Sequence, residues 1–251
     1  MLERDEKKVP DLSWRELPRS DRVIIALDCE ADKALSIAYQ LRNDAKWVKI
    51  GMTLYYAYGD EIIKILKDRG YNVFLDLKFF DIPHQVFGAA RSATKSSADM
   101  LTMHAVGGNE MMEAALKGAI EGANAIGKKV PDLLAITVLT SMSEVELKAM
   151  GVERSMDEQI NALAENAINS GLSGVVASPR EAKMLRARLG EEALIVTPGV
   201  RPKGSSLSDQ KRAATPKEAF ENGASHIVIG RPITDALDPV ASFYEIVENL
   251  N

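Results

Sequence analysis

From about residue 22 onward the chain alternates between short, nearly unbroken apolar runs and longer stretches where apolar residues recur every three or four positions. The apolar runs are Val23 to Leu27, Trp47 to Ile50, Val73 to Leu77, Met100 to Met103, Leu133 to Leu139, Gly174 to Ala177, Leu194 to Val196 and His226 to Ile229. Continuous apolar character over so few residues predicts parallel strands covered on both faces. Between them lie helical stripes. Ile160, Leu163, Ala164, Ala167 and Ile168 form one, with Gly171 placed to close it, and Val240, Phe243, Tyr244, Val247 and Leu250 form another. Eight strand-then-helix units in 251 residues predict one closed (β/α)8 barrel, a TIM barrel. An open doubly wound sheet is the competing arrangement, but no G-x-G-x-x-G follows the first strand. Residues 1–20, polar and broken by Pro10 and Pro18, read as an extension, leaving 21–251 as a single barrel domain.

A barrel places its chemistry at the C-terminal ends of the strands and in the loops beyond. Strand one is expected to end in Asp28, strand two carries Lys49, and strand three carries Asp76 and Lys78 with Asp81 just after. Strand five is expected to end in Thr140, followed by Ser141 and Ser143. Residues two apart on a strand face the same way, so Asp76 and Lys78 should point together. Charges in a strand are costly unless paired, and alternating signs keep every member ionised. A purely structural ion pair is the plainer explanation; a barrel mouth is a poor place for one.

The formal net charge of −5 gives no global field for nucleic acid, so an anionic substrate needs positive charge concentrated locally. Such a cluster follows strands seven and eight: Thr197-Pro198-Gly199-Val200-Arg201, then a Gly/Ser-containing loop with Gln210, and finally Gly230-Arg231-Pro232. These loops are the usual phosphate site of such barrels, and the long one reads as a lid over it. Other features carry less. Gly122 to Lys129 looks like a Walker A loop, but Lys129 stands where Ser or Thr is required, and the segment follows a helix instead of a strand. It reads as a helix C-terminus with a glycine stop. His84, His104 and His226 are too scattered for a metal site. His104, at the end of strand four, is either a pocket-lining group or a hydrogen-bonded structural one. Trp14 and Trp47 read as packing residues. Cys29 is the single cysteine, no apolar run approaches the roughly 20 residues of a membrane span, and the charged N-terminus has no signal core. A cytoplasmic setting is expected.

Taken together, Ala26-Leu27-Asp28, Val48-Lys49-Ile50-Gly51, Asp76-Leu77-Lys78-Phe79-Phe80-Asp81-Ile82-Pro83, Leu139-Thr140-Ser141, Thr197 to Arg201 and Val228 to Pro232 closely resemble the orotidine 5′-phosphate decarboxylases, in their shorter microbial form. The resemblance runs from about residue 22 to the C-terminus. It implies decarboxylation of orotidine 5′-monophosphate to uridine 5′-monophosphate, the last step of UMP synthesis, with no metal or cofactor. Lys78 would protonate C6 of the pyrimidine, Asp76 would face the leaving carboxylate, and Asp81 would reach into the site of a second subunit in a homodimer. Asp28 and Lys49 would hold ribose hydroxyls. Ile82 would wall the pocket, Thr140 and Ser143 would lie near the base, and Pro198 would pack beside it. Arg201, Gln210, Gly230 and Arg231 would grip the phosphate. No nucleic-acid or membrane partner is implied.

The D-x-K-x-x-D run is shared with magnesium-dependent 3-keto-L-gulonate 6-phosphate decarboxylases, where a Glu that serves the metal usually occupies the position of Lys49. An ammonium there argues against that reading. A non-catalytic phosphosugar- or nucleotide-binding barrel is a third possibility, against which stands Lys78, a proton donor that binding alone does not need.

Overall fold

The computed structural model describes residues 13–202 and 214–250. Its strands are β1 (Val23–Ala26), β2 (Trp47–Gly51), β3 (Asn72–Phe79), β4 (Met100–His104), β5 (Asp132–Ile136), β6 (Gly174–Val176), β7 (Leu194–Thr197) and β8 (His226–Ile229). All neighbours pair in parallel, and β8 returns to β1, closing the predicted barrel in sequence order. Alternation divides each strand between two cores. Ile24, Ala26, Trp47, Phe74, Met100, Leu134, Val196 and Val228 pack on one another inside the barrel. Their neighbours, such as Ile25, Val48, Leu75, Leu133 and Ile227, pack outward under the helices.

The helical stripes form as expected, with one adjustment. Ile160, Leu163, Ala164 and Ala167 are buried on the helix Met156–Asn169, which Ser155 and Glu158 cap reciprocally, and Gly171 follows it at φ +82°. On the helix Pro239–Glu248, Phe243 and Ile246 are buried, whereas Tyr244 is 46% exposed and its hydroxyl bonds the Asp44 carboxylate. A tyrosine at the edge of a stripe can keep its ring on the apolar surface and its hydroxyl in water. The Walker-like segment is the end of the helix Asn109–Ile126, with Gly127 in the left-handed conformation as its stop. Gly122 has a packing role, since a Cβ there would lie 2.6 Å from the carbonyl oxygen of Arg91 on the helix Pro83–Lys95.

Strand five differs from expectation. It ends at Ile136, paired with Val176, because β6 is only three residues long and offers no strand residue beyond. Thr140 therefore stands in the following loop. The first described residues lie against the strand-start end of the barrel. Trp14 is flanked by the guanidinium groups of Arg22 (5.6 Å) and Arg186 (5.0 Å), and Arg15 pairs with Glu192 at 3.2 Å.

At the same end His226 is wholly enclosed, edge-on to Trp47 with ring centroids 5.7 Å apart and Nδ1 3.3 Å from the Ser225 hydroxyl. Burial, reinforced by Arg22, pushes its pKa down to about 3. The unfolded chain therefore takes up a proton that the fold refuses, so stability declines as pH drops below about 6.5, by roughly 1.4 kcal/mol per unit until the folded pKa is reached. The melting temperature is expected to fall by about 5 °C between pH 7.5 and pH 5, and to fall less in His226→Asn, as read by calorimetry.

Candidate active site

The inward-facing positions do not stop where the strands stop. Followed along β2 and β3 and past the ends of β1, β7 and β8, the same alternation presents Lys49 after Trp47, Asp76 after Phe74, Asp28 after Ala26, Pro198 after Val196 and Gly230 after Val228. These residues, with Lys78, Thr140, Arg201 and Arg231, line a cavity of about 440 Å³ at the C-terminal ends of the strands, and the inner-core side chains Ala26, Phe74 and Val228 line it too. That volume suits a nucleotide-sized ligand. A larger hollow, about 970 Å³, opens at the strand starts near Trp14, Asn72 and Lys128. Lys128 there already bonds the Ser97 hydroxyl, and Asp99 pairs with Lys67, so the convergent charges of the smaller cavity mark the chemically relevant one.

Those charges form a continuous chain. The Asp28 carboxylate accepts from Lys49 Nζ at 2.8 Å, Lys49 Nζ lies 3.4 Å from Asp76 Oδ2, and the same oxygen lies 2.8 Å from Lys78 Nζ. Lys49 and Asp76 are buried, Lys78 is partly open to the cavity, and Asp28 stands at the exposed rim. Burial pulls the Lys49 ammonium toward neutrality, but Asp76 and Asp28 overcome it, and its pKa ends raised. Burial likewise pushes Asp76 up, yet Lys49, Lys78 and the hydroxyl of Thr102 hold its carboxyl below the ordinary range. Lys49 and Asp76, the two buried members, thus hold one another charged.

Gly51, at the end of β2, leaves room for this chain. A Cβ there would lie 2.5 Å from Asp28 Oδ1 and 3.3 Å from Lys49 Nζ. Gly51 stands in the motif Val48-Lys49-Ile50-Gly51 without an expected role, and Thr102 is the part of the site that motif reading passes over. The signal for Thr102 lay in strand parity, since it follows Met100 on the inner face of β4 beside Asp76.

Other expected residues take up separate positions. Asp81 is exposed beyond β3, its Oδ1 accepting from the Ile82 N–H at 2.6 Å, and Ile82 is 64% exposed. Neither lines the cavity. Ser143 does not line it either; its hydroxyl caps the helix Glu144–Ala149, accepting from the Glu146 N–H and donating to the Glu146 carboxylate. His104 is half-buried, its ring 5.7 Å from that of Phe80, and burial followed by the Lys78 charge lowers its pKa. At the far rim Arg201 donates to its neighbouring carbonyl at Val200, 3.1 Å away, and Arg231 opens a short helix whose cap is Gly230. Gln210 lies outside the described residues.

Replacing Lys49 by Met leaves Asp76 with one cation in place of two. Unfolding in urea at pH 7 is expected to lose about 3 kcal/mol of stability. The sign of the pH dependence follows from the depressed carboxyl of Asp76: its contribution is complete above the ordinary carboxylate range and fades below it. The deficit of Lys49→Met should therefore narrow as pH drops toward 3.

Comparison with known proteins places this geometry in a family. The family model for "Orotidine 5'-phosphate decarboxylase / HUMPS family" matches residues 21–246. The chain is 46% identical over 226 residues to orotidine 5'-phosphate decarboxylase of Parasynechococcus marenigrum strain WH8102, covering 89% of this chain and 92% of that one. It is 45% identical over 224 residues to the protein of that name from Moorella thermoacetica, covering 88% and 89%. Among solved structures, orotidine 5'-phosphate decarboxylase from Lactobacillus acidophilus superposes with a TM-score of 0.81 at 41% identity, covering 92% of this chain and 99% of that one. An uncharacterized conserved protein from Geobacillus kaustophilus superposes with the same score at 35% identity. Matched over nearly its whole length, the chain belongs to the orotidine 5′-phosphate decarboxylase / HUMPS family.

Proposed function

We infer that this chain is a carboxy-lyase that converts orotidine 5′-monophosphate to uridine 5′-monophosphate, the last step of de novo UMP synthesis, without a metal ion. The observation that carries the reading is Lys78 Nζ, held 2.8 Å from Asp76 at the wall of a nucleotide-sized cavity, in a chain 46% identical to a decarboxylase of that substrate. Loss of carbon dioxide leaves an electron pair on C6 of a ring with no electron sink. A fixed ammonium at that carbon stabilises the pair as it develops and then supplies the proton, leaving a neutral amine to be reprotonated by solvent. Asp76, facing the carboxylate that departs, remains ionised because Lys49 and Lys78 hold it so.

The remaining roles follow from position. Asp28 and Lys49 meet the ribose hydroxyls, Thr140 and Pro198 flank the base, and Arg201, Gly230 and Arg231 take the phosphate, with Gln210 assigned there from sequence. Binding through the distant phosphate fixes the pyrimidine against Lys78, so the affinity of a non-reacting group serves the chemical step. The metal-free reading is supported by Lys49 itself. Its ammonium lies within 3.4 Å of both Asp28 and Asp76, the carboxylates a divalent cation would need.

Two measurements test the chemistry. Lys78→Ala is expected to lower turnover, followed as loss of the orotate absorbance, by about 10⁴-fold or more, while uridine 5′-monophosphate still binds. Wild-type activity should survive excess chelator; its loss would favour a magnesium-dependent relative. A wild-type chain that binds the nucleotide but never turns it over would leave a binding barrel.

Asp81 belongs to this scheme only across a dimer. Beyond the ends of β2, β3 and β4 the chain exposes Met52 and Tyr56 on the helix Met52–Tyr58, Phe80 and Ile82 beside Asp81 in the sequence, and Val106, apolar side chains suited to contact with a second copy. Lys78→Ala and Asp81→Ala should each be inactive alone. Mixed and refolded together they should recover about a quarter of wild-type activity, because half the dimers then carry one intact site of two. No recovery would place Asp81 in its own subunit's chemistry.

A further inference from the structure

Lys78 reaches its place by an irregular route. Leu75 pairs with Leu101 and Phe79 with Met103, so four steps along β3 are matched by only two along β4. The surplus residues form a bulge, and within it Lys78 sits at φ +54°, in the left-handed region that a side-chain-bearing residue seldom occupies. Such a conformation is strained for a residue with a side chain and persists only where the surroundings hold it. The residue of β4 opposite the bulge is Thr102, completely buried and absent from the cavity wall.

The Thr102 hydroxyl accepts a hydrogen bond from the Lys78 backbone N–H at 3.0 Å and donates one to Asp76 Oδ1 at 2.9 Å. A hydroxyl has one proton, and here it must point at the carboxylate, which turns a lone pair toward the N–H. The other Asp76 oxygen is taken by Lys78 Nζ and Lys49 Nζ. One oxygen atom thus ties the main chain of Lys78 to the side chain of Asp76. We propose that Thr102 is a positioning residue for the decarboxylation, fixing the proton donor and the carboxylate beside it in register across the reacting carbon. This rests on the function proposed above.

Among the described residues the charged groups that face Asp76 are Lys49 from β2 and Lys78 on β3, with Asp28 beyond Lys49 and His104 two residues past Thr102 on β4. Thr102 adds the uncharged donor that helps hold the carboxyl low. A packing role alone would depend on the methyl group and the volume; a positioning role depends on the hydroxyl.

The test compares Thr102→Val, which keeps shape and removes the hydroxyl, with Thr102→Ser, which keeps the hydroxyl. Thr102→Val is expected to lose about 10- to 100-fold in kcat, with KM within about threefold of wild type, and to shift the acid limb of the kcat/KM profile to higher pH. Thr102→Ser should restore kcat and return the limb. Wild-type kcat and an unmoved acid limb in Thr102→Val would overturn the proposal, as would a loss that Thr102→Ser fails to restore. Should Thr102→Val not fold, Thr102→Ala read against Thr102→Ser isolates the same hydroxyl, and wild-type kcat in Thr102→Ala overturns the proposal too. Absence of turnover by the wild-type chain would instead overturn the functional reading, and this inference with it.

Discussion

Two ammonium groups and two carboxylates meet where the barrel is drying out, and the two buried ones, Lys49 and Asp76, are held ionised there by their partners. Lys49 is the pivot, because it is buried and touches both Asp28 and Asp76. Removing its charge would leave Asp76 to Lys78 alone, and removing Asp76 would bring two cations together in a medium that screens them poorly. The arrangement is settled before any ligand arrives. Its electrostatic work belongs to folding, so under the proposed reaction a substrate would meet fixed charges that need no reorganisation.

The barrel makes that arrangement possible through parity. The residue types that fill its centre, Trp47, Phe74 and Met100, are followed two positions later by Lys49, Asp76 and Thr102 on the same inward face. The apolar layer beneath is the floor on which the charged layer stands. Strand parity thus provides both the low dielectric and the convergence.

Much of this was legible from the residues. Apolar runs of three to seven residues mark all eight strands, and the alternating charges at their ends mark the mouth. What escaped was of two kinds. Strand five runs on in the sequence through Thr137 and Val138, good strand formers, but a ladder needs a partner, and β6 ends at Val176. That is a property of the neighbouring strand, invisible in a local window. The bulge at Lys78 and the hydroxyl opposite were hidden for a related reason. Threonine in a strand is unremarkable by composition, and its part in the site appears only once β3 and β4 are set side by side with their unequal counts. Ser143 shows the converse: a hydroxyl in a suggestive loop is occupied in capping a helix.

The residues at the strand-start end have an effect of a different kind. Trp14, flanked by Arg22 and Arg186, fastens the start of the described chain to the base of the barrel, the full length of the strands away from the cavity. The two ends of the barrel are accordingly separate territories, one where the start of the described chain is packed and one where the cavity opens. Tethered to a bead or an electrode through this lower end, the protein would hold its mouth toward the solution, and an anchoring group there would have no path to the reacting centre.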